Sequence, residues 1–171
     1  MIDPAAGPRD RFRLPASILQ GILARAALVI LRIYLGVIFL RAAWPKLHSD
    51  FTPVLAGFLE NVALEKAHPF YLDFVQRVVL PNSSVFAELV TWGELLVGVT
   101  LILGLVTRLS AAAALFLTLN YMLAKGAWWW TPSSNDAALN MIALALLIGA
   151  AGRTFGLDAF LAQRWPRSGL W

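Results

Sequence analysis

The sequence predicts an all-α protein: an integral membrane four-helix bundle with two short amphipathic helices between its first and second spans. Three observations carry that prediction. Of 171 residues, 59% are hydrophobic and only 14% charged, too little polar surface to clothe a water-soluble domain of this length. Four apolar stretches approach the ~20 residues that a helix needs to cross ~30 Å of hydrocarbon. The lysines and arginines also gather at one set of their ends, as membrane orientation demands.

Taken in order, the first fifteen residues, MIDPAAGPRDRFRLP, are Pro-rich, basic and nonperiodic, so residues 1–20 read as a disordered cytoplasmic tail. The apolar run that follows carries Arg32 and is too long for the core of a secretory signal. The membrane domain covers 21–161, with spans at 24–44, 85–105, 108–124 and 136–152, and 162–171 forms a second cytoplasmic tail. Arg9, Arg11, Arg13 and Arg25 precede the first span, Arg108 lies between the second and third, and Arg153, Arg164 and Arg167 follow the fourth. Alternating spans put all of these on one side. The other side receives Lys46, Lys66, Arg77 and Lys125, partly offset by Asp50, Glu60, Glu65 and Asp73. Both termini are therefore expected in the cytoplasm, with Trp44 and the WWW run at 128–130 at the outer interface.

The segment 45–84 is too long for an idle connection. Phe51, Val54, Leu55, Phe58, Leu59 and Val62 form a helical apolar stripe, and after Pro69 the pattern restarts with Phe70, Phe74, Val75, Val78 and Val79 until Pro81. These two helices either cover the mouth of the bundle or merely lie among headgroups; amphipathicity does not separate the two. At the fourth span, Ser133 to Asp136 has the spacing of a capping box.

Arg32 within the first span needs an answer, since a lone charge at mid-membrane costs at least ~2.5–3.5 kcal/mol. Helical rise puts Arg32 ~12 Å in from one side and Glu94, in TWGELLVG, ~13 Å in from the other. The two are expected to face one another. Gly36 and Ala43 share the Arg32 face, and Ala87, Thr91 and Gly98 share the Glu94 face, as small residues do where membrane helices approach closely. Asn120 and Asn140 add one amide each from the third and fourth spans, with Asp136 one turn from Asn140. This set either closes into a network that holds the helices in register or lines an outward-opening cavity that binds a polar head group or relays protons. Arg41 and Glu88 lie near the outer boundary, where snorkelling accounts for them. Asp158, close to Arg153 in sequence, reads as half of an ion pair at a helix end.

Much chemistry is excluded. Without cysteine there is no disulfide, thiolate centre, Fe–S cluster or zinc–thiolate site. His48 and His68 lie outside the spans, so haem ligation is not expected. With Asp50 or Glu65 they lack metal-motif spacing. No Gly-rich phosphate loop follows a strand, and nothing points to nucleic acid.

LRIYLGVIFLRAAWPKL in the first span, GELLVGVTLILGLVTRLSA across the second and third, and AGRTFGLDAFL after the fourth resemble the DoxX family. NYMLAKG and the long outer segment are most similar to its DoxD-type branch, the small membrane subunit of thiosulfate:quinone oxidoreductase. The resemblance implies a bacterial or archaeal cytoplasmic-membrane protein, a second protein subunit, and oxidation of thiosulfate to tetrathionate while a quinone is reduced. The family's recurring polar positions match Arg32, Glu94, Asn140, Arg153 and Asp158. With no flavin, haem or metal motif in the chain, the expectation is a quinone head group held by Arg32, Asn120 or Asn140, with Glu94 exchanging the accompanying proton. Arg32 and Glu94 are thus the expected catalytic pair, and Arg32, Glu94, Asn120 and Asn140 the expected quinone-binding set. Two other readings stay open: a non-catalytic membrane scaffold for a redox partner, and an anion carrier with Arg32 as ligand, for which four spans are few. Homo-oligomerisation is open too, because Gly93, Gly98 and Gly104 give no strict G-x-x-x-G and the alanines 111–114 can pack within or between subunits.

Overall fold

A computed structural model describes residues 15–132, 134–149 and 151–165. The tail residues 1–14 and 166–171, Ser133 of the expected capping box and the side chain of Arg153 lie outside the described residues. Among the described residues all regular structure is helical. Four long helices, α1 (Ala16–Leu47), α5 (Ser83–Leu103), α6 (Thr107–Ala124) and α7 (Asn135–Gly149), are joined by shorter ones. α1 packs along α5, α5 against α6, α6 along α7, and α7 returns to α1. α1 and α5 are each long and apolar enough to cross a membrane, and α7 is a shorter apolar helix.

α1 begins at Ala16 rather than near residue 24. Pro15 supplies an extended residue just ahead of the first turn, and nothing between 16 and 24 stops a helix. Its 32 residues span ~48 Å at 1.5 Å each, and residues 16–27 are exposed. α1 and α5 run antiparallel and close together because both carry glycine at the crossing. A Cβ on Gly36 would stand 2.8 Å from Ile102 and 3.0 Å from the Gly98 carbonyl, and one on Gly98 would stand 2.8 Å from Leu40. Leu35, Phe39, Val97, Leu101, Ala111, Ala114, Ala143 and Leu146 fill the centre. Ala111 and Ala114 are fully buried there, so that stretch of alanine packs within the chain.

The segment between α1 and α5 forms two helices, each containing a π-type turn: α2 (Thr52–Phe58) runs through Leu59–Ala63 into α3 (Leu64–Lys66), and α4 (Pro69–Phe74) runs into Val75–Val79. Pro53 and Pro69 sit in the first turns, where a missing N–H costs nothing. Leu59, Ala63, Val75 and Val79 bury together against Ala124 of α6. The segment is therefore a packed cover over one end of the helices and not a loose tether. At α7, Ser134 accepts a hydrogen bond from the Ala137 N–H, as a residue that caps the start of a helix does. At the opposite end, a single turn Ala151–Arg153 and α8 (Leu157–Arg164) close the described chain.

Candidate functional site

Arg32 and Glu94 do not meet. The Gly36–Gly98 crossing sets Arg32 level with Gly104, where a Cβ would run into the guanidinium, and sets Glu94 level with Ala42. The two residues are thus separated by about ten positions along α1, roughly 15 Å at helical rise. Side-chain direction widens the gap, because each leans toward the N-terminus of its own helix and these helices are antiparallel.

Two separate polar sites result. At the 104–107 end, Arg32 is 1% exposed and donates to the carbonyls of Ala151 at 3.1 Å, Thr154 at 3.4 Å and Phe155 at 2.8 Å. Asp158 is the carboxylate whose charge acts on it. Asp158 itself accepts from the backbone N–H groups of Val106 at 2.6 Å and Thr107 at 2.8 Å, capping α6 from a distant part of the chain; its expected pairing with Arg153 involves a side chain outside the described residues. The cap holds a strained turn: Gly104 and Val106 both have positive φ, 64° and 44°, and for a β-branched residue that conformation is costly. The Nη1 and Nη2 of Arg32 are thus taken up by backbone carbonyls, while its Nε is buried without a hydrogen-bond partner among the described residues.

The second site lies at the covered end. Glu94, 2% exposed, forms an ion pair with Lys46 through Oε2 and accepts a hydrogen bond from the Tyr121 hydroxyl at Oε1, 2.9 Å away. Lys46 lies in the last turn of α1, immediately after Pro45, and over the Phe51 ring at 4.9 Å, which ties α1 to the cover. These groups border a cavity of about 400 Å³ walled by Phe39, Val54, Leu55, Phe58, Val90 and Leu139, with a second ion pair, Lys125–Asp136 at 2.7 Å, also in its lining. A smaller apolar cavity of about 160 Å³ shares Leu55, Phe58, Val90 and Tyr121 with it and reaches Asn120. An apolar chamber bordered by two ion pairs, one with a buried carboxylate, and by one phenol suits an uncharged ring that carries polar oxygens.

The other expected ligands divide. Asn120 accepts from the Tyr71 hydroxyl at 2.6 Å and donates to the Phe116 carbonyl, linking the cover to α6 at the smaller cavity. Burial pushes the Tyr71 phenol up to about 12. Asn140, 2% exposed, bonds Leu115, Thr118 and the Trp129 indole, tying α7 to α6 and to the aromatic run without lining either cavity. Arg41 and Glu88 are exposed, as snorkelling requires. His68 bonds the Ala127 carbonyl at 2.9 Å and packs on Trp128. Among the described residues no group of three or more His, Asp or Glu is placed to hold a metal ion.

Lys46 and Tyr121 are the site residues that sequence reasoning missed. Lys46 continues the buried stripe Arg32, Leu35, Phe39, Ala43 at helical spacing, a signal legible in the sequence but obscured by Pro45. Tyr121 carried no comparable sign. A comparison with protein families matches residues 27–169 to the model of the TQO small subunit DoxD. No solved structure matches the chain.

Proposed function

Since the chain belongs to the DoxD family of thiosulfate:quinone oxidoreductase small subunits, we propose that it is a multi-pass subunit of the cytoplasmic membrane that holds a quinone head group in the cavity bordered by Glu94, Lys46 and Tyr121. In this reading α1, α5, α6 and α7 are four spans, the Arg32 end and both termini face the cytoplasm, and the cover lies outside. The distribution of Lys and Arg supports that orientation. Two thiosulfate ions lose two electrons on forming tetrathionate, and the quinone takes those electrons with two protons to become quinol. A second subunit, which the family's description implies, contributes to the sulfur chemistry.

The single observation that carries this reading is the buried carboxylate with donors on both oxygens at the wall of an apolar chamber. In this reading the Tyr121 hydroxyl, which donates to Glu94, passes its proton to a ring oxygen and Glu94 replenishes it. This moves the expected site: Glu94 stays, Asn120 remains at its edge, and Arg32 and Asn140 serve the framework. The test is binding of a quinone analogue to the purified chain. Glu94→Gln and Tyr121→Phe should each weaken it about tenfold, the value of one charge-assisted hydrogen bond. Affinities equal to wild type in both variants would remove these residues from the site.

The scaffold reading has one observation in its favour: Arg32, Asn140 and Asp158 are all occupied in bonds that tie elements together. It requires that a redox partner co-purify with the Glu94→Gln and Tyr121→Phe variants and that the complex keep its full activity.

A further inference from the structure

Two cavities of opposite character meet at Lys46 and Phe51, and of these two side chains only Lys46 carries a proton to give. Lys46 stands in the wall of the 400 Å³ apolar cavity and also in that of a 220 Å³ cavity lined by Ser49, Asp50, Thr52, Glu88 and Thr91. The second has the polar partners that hold water, and its two carboxylates, Asp50 and Glu88, are exposed. Glu94 borders only the apolar cavity. Its oxygens are divided accordingly: Oε1 accepts from Tyr121, which lines both apolar cavities, and Oε2 pairs with Lys46, which borders the polar one. The other charged pair at the apolar cavity joins Lys125, just past α6, to Asp136 of α7, and the Asp136 charge also acts on Tyr121. Among the described residues no hydrogen bond joins that pair to Glu94 or Tyr121.

We infer that Lys46 is the proton-transfer residue that connects Glu94 to water through the polar cavity, with Tyr121 on the quinone side. The inference rests on the quinone reading. One proton moves from the Lys46 ammonium to the Glu94 carboxylate, and from there, with the Tyr121 hydroxyl as the bridging donor, to a reduced ring oxygen. Water in the polar cavity then reprotonates Lys46, helped by Asp50 and Glu88. Two such transfers accompany the two electrons from the sulfur donor, so charge and protons balance.

The full chain in nanodiscs, loaded with ubiquinone-1 and photoreduced by a soluble ruthenium complex, separates the alternatives when a pH-indicator dye reads proton uptake. Per molecule of bound ubiquinone-1, Lys46→Met should take up protons at least about tenfold more slowly than wild type, and increasingly so as pH rises. Lys46→Arg should recover much of the rate. Asp50→Asn combined with Glu88→Gln, both at exposed positions, should slow uptake about threefold with the Lys46–Glu94 pair intact. Wild-type uptake in Lys46→Met, or slowing by Asp136→Asn instead, overturns the route while leaving quinone binding in place. Loss of ubiquinone-1 binding in Lys46→Met makes Lys46 a ligand-holding residue and overturns it as well. Absence of binding in the wild-type chain sinks the quinone reading itself, and the route with it.

Discussion

Arg32 shows how a charge inside an apolar helix array is satisfied without a counter-ion in direct contact. Three backbone carbonyls of the stretch 151–155 receive its N–H groups, and the planar guanidinium reaches all three where an ammonium could not. Arg32→Gln should therefore cost about 3 kcal/mol, as loss of several charge-assisted bonds at a buried site does, and Arg32→Lys should recover only part. Thermal unfolding in detergent measures both. Ubiquinone-1 affinity in the folded Arg32→Lys fraction should match wild type, because the guanidinium is remote from the cavity; a tenfold loss would return Arg32 to the quinone site. Val106 gives the opposite case. Its φ of 44° is unfavourable for a β-branched side chain, so Val106→Asn, which tolerates that conformation, should stabilise by about 1 kcal/mol.

Between elements, the α1–α5 crossing and the cover govern the site. Gly98→Ala must push Leu40 away and should cost about 1–3 kcal/mol, as overpacking at a close contact does. It should also disturb the Lys46–Glu94 pair, since both helices carry it. The cover is fastened to α6 by Tyr71 and Asn120. With the Tyr71 phenol raised from 10.0 to about 12, the folded state holds its proton more tightly than the unfolded chain does. The stability linked to Tyr71 is thus intact below pH 10 and is lost as pH rises from 10 through about 12. Denaturation midpoints of wild type and Tyr71→Phe should converge across that window, and a constant difference would mean that the phenol does not titrate there.

For the molecule as a whole, the proposal fixes a sidedness that can be measured. The chain has no cysteine, so single introduced thiols report position cleanly. Trp130, 74% exposed, lies near the covered end, and Arg164 closes α8 at the other. An impermeant maleimide should label Trp130→Cys in intact cells and Arg164→Cys only after permeabilisation. The reverse pattern would invert the proposed topology and put the polar cavity on the cytoplasmic side.

Much was written into the chain itself. Apolar length, the charges at span ends and the stripes in 51–79 sufficed to predict helices and their order, because these depend on periodicity and on burying apolar surface, both local properties of a sequence. Whether the stripes at 51–79 cover the bundle or lie among headgroups was not legible, because that depends on what they pack against. Gly36, Ala87, Thr91 and Gly98 likewise announced a close helix contact, since close approach leaves no room for large side chains. Glu94 was recognisable as a buried charge, but its partner was not. Counting residues from span ends placed Arg32 and Glu94 at matching depth, yet pairing depends on the register of two helices and on the direction in which side chains lean. Neither quantity is local: the register is set at the Gly36–Gly98 crossing, and the lean follows from the antiparallel pairing. Only the tertiary structure could therefore divide one imagined ion pair into two real sites, with Arg32 joined to the backbone at 151–155 and Glu94 joined to Lys46 and Tyr121 beneath the cover.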